Sequence, residues 1–197
     1  MTFVVDTSSA VCALALLEPT GEVRAEMRLP ARSEGLRDVM RDMAVGRTLT
    51  QVAVATGPGS FTGLRVGVSF GLGLAIGLGI PIVPLPTLGI QAARSEDKVL
   101  AVAEAGRGRV YYLAPGKQPA HGEPAVLPKD HPVVGWLQPS TERSIVAAGL
   151  HFVPEHRLRT FGEAVARMLE TAREVPYGSL EIEYMQSFLP SARASGR

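Results

Sequence analysis

Ala55-Thr56-Gly57-Pro58-Gly59-Ser60-Phe61-Thr62-Gly63-Leu64-Arg65-Val66-Gly67 is the stretch from which the fold of this chain is read. It has the composition of a strand end, a tight loop and a helix start. Gly57, Gly59 and Gly63 permit backbone angles and close approaches that other residues resist. Backbone N–H groups here, with the Ser60 and Thr62 hydroxyls, can hold an anion at the helix N-terminus. No lysine follows the glycines, so this is not a Walker A loop. The bland alternative is a structural loop whose hydroxyls cap the helix, and the residues alone leave both readings open.

Working outward, Phe3–Asp6 and Ala10–Leu17 are apolar runs, and Pro19-Thr20-Gly21-Glu22 is turn chemistry. Val23–Leu29 alternates, with Val23, Ala25, Met27 and Leu29 on one side, which predicts a three-strand meander. Ser33 can cap a helix to about Val45, with Leu36, Val39, Met40 and Met43 on one face and Gly46 as its stop. Val52–Ala55 reads as a buried strand, Leu64–Leu78 as a glycine-rich helix, Ile80–Leu85 as a strand and Thr87–Arg94 as a helix. The order is βββαβαβα. A second half opens with strands Val99–Glu104 and Arg109–Leu113 around Gly106-Arg107-Gly108. Pro115–Pro132 reads as loop and Ser144–Ala148 as a strand. Thr160-Phe161-Gly162-Glu163 is a capping box opening a helix to about Glu174, stopped by Pro176. The expected division is a lobe over 1–97, a shortened second lobe over 98–180 and a tail over 181–197.

Composition narrows the function. The 197 residues carry 20 basic and 19 acidic side chains, a net charge of +1, which argues against a stand-alone nucleic-acid binder. The single cysteine, Cys12, lies in an apolar run and excludes an intramolecular disulfide and a cysteine metal site. The N-terminus shows no basic region followed by a long apolar stretch, so the cytoplasm is expected. Val66–Ala93 carries no charge, but its glycines and Pro81, Pro84 and Pro86 favour a helix and a buried strand over a membrane span. The histidines His121, His131, His151 and His156 lack ligand spacing, so no metal site is expected.

The element order resembles the ribonuclease H-like half-domain of the actin, Hsp70 and sugar kinase superfold, an α/β fold built of two such halves; in this chain the C-terminal half is short and degenerate by comparison. The loop Gly57–Gly67, after an opening strand ending in Asp6-Thr7-Ser8, resembles the TsaB family, also called YeaZ. Ile80–Leu85 followed by Thr87-Leu88, the turn Val102–Tyr111, and Glu183-Tyr184-Met185 resemble further family segments. Glu104 stands where the family has an aspartate, and Arg32-Ser33-Glu34 where it often has His-Ser-Glu.

The resemblance implies a non-catalytic subunit that binds and activates TsaD. TsaD, with the ATPase TsaE, moves threonylcarbamoyl onto the adenosine beside the anticodon of tRNA. It implies no cofactor, metal or catalytic residue on this chain, contact with tRNA through the complex, and a homodimer when the chain is free. Two rivals are a nucleotide-dependent kinase or hydrolase of the superfold and a peptidase; neither finds its catalytic constellation. Asp6, Thr7, Ser8, Gly57, Gly59, Ser60 and Thr62 form the candidate nucleotide or anion loop. In active members of the superfold an aspartate at the place of Asp6 helps hold a nucleotide-bound metal; the rival is a strand-end residue bonding its own turn. Leu36, Val39, Met40, Met43, Gly67, Phe70, Gly71 and Leu74 form the expected partner interface, with the glycines opening grooves for another helix.

Overall fold

The computed structural model describes residues 1–31 and 33–185. The first sheet holds β1 (Thr2–Asp6), β2 (Val11–Leu17), β3 (Val23–Pro30), β4 (Gln51–Gly57) and β5 (Ile82–Pro86), in the order β3-β2-β1-β4-β5. β1 pairs antiparallel with β2 and parallel with β4, with Val5 opposite Val54. Helices α1 (Leu36–Ala44), α2 (Phe61–Leu78) and α3 (Thr87–Ala93) complete the βββαβαβα unit. β1, β2 and β4 are near-continuous apolar runs because both faces of this sheet are covered. On one face Phe3, Val5, Leu14, Leu16, Val52 and Val54 pack under α1 and α2. On the other, Val4, Ala13, Ala15, Ala53 and Leu85 meet Ile90 of α3 and Phe161 and Val165 of α5 (Phe161–Leu169).

The second sheet is four-stranded: β6 (Leu100–Gly106), β7 (Arg109–Leu113), β8 (Ala120–Gly122) and β9 (Val133–Val134), in the order β8-β7-β6-β9. This repeats the first order with its members cut down. The helix expected between third and fourth strands is a single 3-10 turn, Pro124–Val126, and the fifth strand is one parallel bridge, Val133 to Phe152. The two lobes are not separate bodies. Leu88 of α3 packs on Ala101, Ala103 and Tyr111 of the second sheet, while α5, assigned by sequence to the second lobe, covers the first.

A buried arginine fastens this junction. Arg94, 1% exposed, follows α3. Its guanidinium pairs with Glu155, which also pairs with Arg28, and lies 4.3 Å over the Trp136 ring. It donates to Gln91 Oε1 at 3.2 Å, and Arg159 N–H returns a bond to Arg94 O at 2.8 Å. A buried cation must be paired this fully to be tolerated.

Several elements differ from expectation. Ser33 does not cap α1; its hydroxyl donates to Pro30 O at 2.8 Å, and the cap is Gly35 at φ 78. α2 starts three residues before Leu64, because Ser60 caps it by accepting from Gly63 N at 3.3 Å. The expected strand Ser144–Ala148 belongs to a helix, α4 (Pro139–Ala147): Thr141 and Ile145, four apart, are its buried side, and Glu104 accepts from Gln138 N and Thr141 Oγ1 at its start. α5 has the expected capping box but ends at Leu169, because the chain must turn back to bridge Val175 to Ile82. Arg32 and residues 186–197 of the expected tail lie outside the described residues.

The largest correction concerns α2. A Cβ on Gly71 would collide with Val54 and one on Gly67 with the Thr7 hydroxyl, so both glycines face their own sheet. Met40 is fully buried beneath α1 and Met43 nearly so. These four are core, not the outer face of a docking surface; the outward glycines are Gly73 and Gly77, whose added Cβ would meet nothing within 4 Å. Gly71→Leu should therefore drive four carbons into Val52 and Val54, destabilising by about 3 kcal/mol or more. Thermal unfolding should fall by at least about 6 °C; an unchanged midpoint would show that the helix can lift off the sheet.

Candidate functional site

The strand end of β1 and the loop before α2 meet face to face. Thr7 Oγ1 donates to Gly63 O at 2.6 Å, and Ser60 N–H donates to Ser8 O at 2.7 Å. A Cβ at Gly63 would overlap Thr7 O, and one at Gly59 would overlap Ser8 O. Gly57 has φ 115, and an added Cβ there would stand 2.7 Å from Glu183 O. The glycines thus serve close packing of two backbones, with Gly57 alone needing left-handed freedom. Side chains at 59, 63 and 67 are excluded by the protein itself, before any ligand is considered.

Asp6 is sealed beneath this contact. It is wholly buried, and its Oδ1 accepts from Ser8 N at 2.8 Å and Ser8 Oγ at 2.5 Å. Thr87 Oγ1 extends the chain by donating to Ser8 Oγ at 3.1 Å. Oδ2 has no partner. Burial pushes the carboxyl above the ordinary 3.8, and the two bonds from Ser8 only partly oppose this. Cys12, on the neighbouring strand, is pushed up to about 11, first by burial and then by the Asp6 charge. The superfold's nucleotide-bound metal would need an aspartate facing the cleft with further oxygen ligands around it. Asp6 is covered by its own turn, so these residues do not fit that group. Among the described residues no three His, Cys, Asp or Glu side chains come together to hold a metal ion.

Between the lobes lies a cleft of about 770 Å³. Of the candidate loop, Gly59, Ser60 and Thr62 reach its wall, together with Glu104, Tyr111 and Gln138 from the second lobe. Asp6, Thr7, Ser8 and Gly57 do not. Glu104 is spent on the start of α4. None of the four histidines lines the cleft, so Ser60 has no imidazole beside it to act as a base.

A second concavity of about 560 Å³ lies between α1 and α2, lined by Ala44, Val45, Phe70, Gly73, Leu74 and Leu78 with Arg41 and Arg47 at its rim. Of the expected interface residues it contains Phe70 and Leu74, while Leu36 and Val39 are half-buried at the packed side of α1. Val45 and Leu78, which sequence reasoning did not single out, are more than half exposed. Their signal was an apolar residue next to a helix-stopping glycine, at Gly46 and Gly79. α2 passes length and composition tests for a membrane span, yet one side of it is the glycine face seated on the sheet.

A family model described as TsaD, tRNA N6-adenosine threonylcarbamoyltransferase, matches residues 35–123. The tRNA threonylcarbamoyladenosine biosynthesis protein TsaB of Escherichia coli K12 is 33% identical over 120 residues, 55% of this chain and 52% of that protein. TsaB of Bacillus subtilis is 35% identical over 98 residues, 48% of this chain and 40% of that protein. The chain thus spans about half the length of the curated relatives it matches. Among solved structures, YeaZ from Pseudomonas aeruginosa aligns with a TM-score of 0.68 at 19% identity, over 93% of this chain and 99% of that one. The resemblance to TsaB and YeaZ read from the glycine loop is borne out by homologues of that name, and the mixed α/β fold with two sheets by this structural likeness.

Asp6 generates a pH test. Its folded pKa is raised, so the folded state holds the proton more tightly than the unfolded chain. Its contribution is fully present below the unfolded carboxylate value of 3.8 and is lost as pH rises through the raised folded value. Asp6→Asn, which cannot ionise, should gain stability relative to the wild type on going from pH 4 to pH 8. Denaturant midpoints at both pH values measure this; equal differences would place the carboxyl in contact with water.

Proposed function

We propose that this chain is the non-catalytic TsaB-type subunit of the assembly that transfers threonylcarbamoyl to the adenosine beside the anticodon of tRNA, and that it works by binding and activating TsaD. One observation carries the reading: the groove between α1 and α2 is open and apolar, while the strand-end acid Asp6 is sealed. The groove offers dispersion contacts to an inserted helix, with Gly73 giving its backbone room to approach. The arginines at the rim supply orientation. Catalytic groups and metal belong to TsaD in this scheme. TsaE and tRNA reach the chain through the complex, in the cytoplasm, and a second copy covers the same groove when TsaD is absent. An apolar surface of this kind is costly to leave in water, which favours self-association of the free subunit.

The test is co-elution with TsaD from the same organism, followed by reconstituted tRNA modification with and without the chain. Gly73→Leu leaves the core untouched and should stabilise α2 by up to about 1 kcal/mol, while holding an incoming helix away. The expected result is a folded protein with at least tenfold weaker TsaD binding and a matching loss of modification. Full binding by a folded Gly73→Leu protein would move the interface elsewhere. Modification by TsaD and its other partners alone, without this chain, would overturn the role itself.

A further inference from the structure

Val175–Met185 runs along one flank of α2, from the C-terminal end of that helix to its N-terminal end. Val175 N–H donates to Ile82 O at 3.0 Å, bridging onto the β5 edge. The Tyr177 hydroxyl lies 2.8 Å from Ile80 O and 3.2 Å from Ala75 O, at the C-terminal end of α2, where Ala75 O also accepts from Ile80 N–H. Leu180 and Ile182 join the apolar cluster beneath α2. Glu183 N–H donates to Thr56 O at 2.8 Å, and Glu183 O occupies the space beside Gly57. The Tyr184 ring lies 5.3 Å from Phe61, and its hydroxyl accepts from Arg65 Nε at 3.5 Å. Arg65 in turn stacks 4.0 Å over Phe61. Met185 then crosses to the second lobe and packs on Leu88, Ala101, Ala103 and Tyr111.

We propose that Val175–Met185 is a clasp that ties the two lobes together across the cleft and opens from its Tyr184 end. The geometry separates a fixed half from a releasable half. Leu180 and Ile182 are held by core contacts, so the segment stays attached there. Tyr184 and Phe61 are 42% and 40% exposed and meet in a ring contact, and the Tyr184 hydroxyl adds one long hydrogen bond from Arg65. Local opening starts where buried contacts are fewest and hydrogen bonds lie in water. Glu183 and Tyr184 are also part of the cleft wall. Release of this end therefore removes one wall of the cleft and the Met185 contact in one movement, letting the cleft widen while the α3 layer and Arg94 still hold the lobes at their junction. The clasp stands independently of the partner assigned above.

The experiment uses the full chain with spin labels on cysteines at Thr62, in the cleft wall, and Arg107, in the exposed β6–β7 turn of the other lobe. Cys12 is buried with a raised pKa and does not take the label. Wild type should give a single narrow inter-lobe distance. Tyr184→Ala should broaden or lengthen it and speed hydrogen exchange at the Glu183 amide at least tenfold, while Tyr184→Phe, which keeps the ring, should stay within about threefold of wild type. If Tyr184→Ala fails to fold, Phe61→Ala removes the same ring contact from an exposed position and is read the same way. Unchanged distances and exchange would overturn the proposal. So would faster exchange at Glu183 with an unchanged inter-lobe distance, since the segment would then be a docked tail that ties nothing.

Discussion

The seating of α2 on the first sheet is the contact on which the rest of the structure depends. Gly59, Gly63, Gly67 and Gly71 bring one continuous line of backbone, from loop to mid-helix, against Ser8, Thr7 and the valines of β4. Glycine in a helix interior is unfavourable by roughly 1 kcal/mol relative to alanine. The helix tolerates this because the close approach lets β1, β4 and α2 share one buried layer. The same approach closes the turn Asp6-Thr7-Ser8 from above. The feature that builds the core therefore also removes the aspartate from solvent.

The second lobe shows what a half-domain can lose and still stand. Its sheet keeps the strand order of the first, but one helix is reduced to a turn and one strand to a bridge. It compensates by sharing. α3 lies between the two sheets and gives side chains to both apolar clusters, and α5, from the second lobe, packs on the first sheet. Arg94, paired with Glu155 and stacked on Trp136, sits at this shared layer. Burial pulls the guanidinium pKa down, and the Glu155 carboxylate only partly opposes this.

Consequences for function follow from which surfaces remain open. The cleft of the superfold is present, but its acid is turned inward and its glycine loop is filled by the protein's own carbonyls. The α1–α2 groove is apolar and unfilled. Polar groups that would do chemistry are spent on structure here: Glu104 on a helix start, Ser60 on another, Thr7 on a loop carbonyl. The α1–α2 groove is the surface on which the proposed partner contact rests.

Much of this was legible in the chain. Apolar period and turn residues determined the βββαβαβα order, since each strand and helix announces its own spacing. The capping box at Thr160 and the strand turn at Gly106–Gly108 were local signals and held. Legibility failed where a neighbour distant in sequence decided the outcome. Ser144–Ala148 has strand-like residues, yet Glu104, on another strand, supports a helix start at Gln138 and Thr141. Glycines at 67, 71, 73 and 77 are equivalent in sequence, and only the position of the sheet separates an inward pair from an outward one. Asp6 was recognisable as a strand-end acid, but its burial depends on Ser8, Thr87 and the loop packed over them. Local patterns set which elements form, because they rest on contacts within a few residues. Which faces they bury, and so which residues stay available to a partner, was decided only by tertiary packing, because exposure belongs to the assembled layers and to no single element.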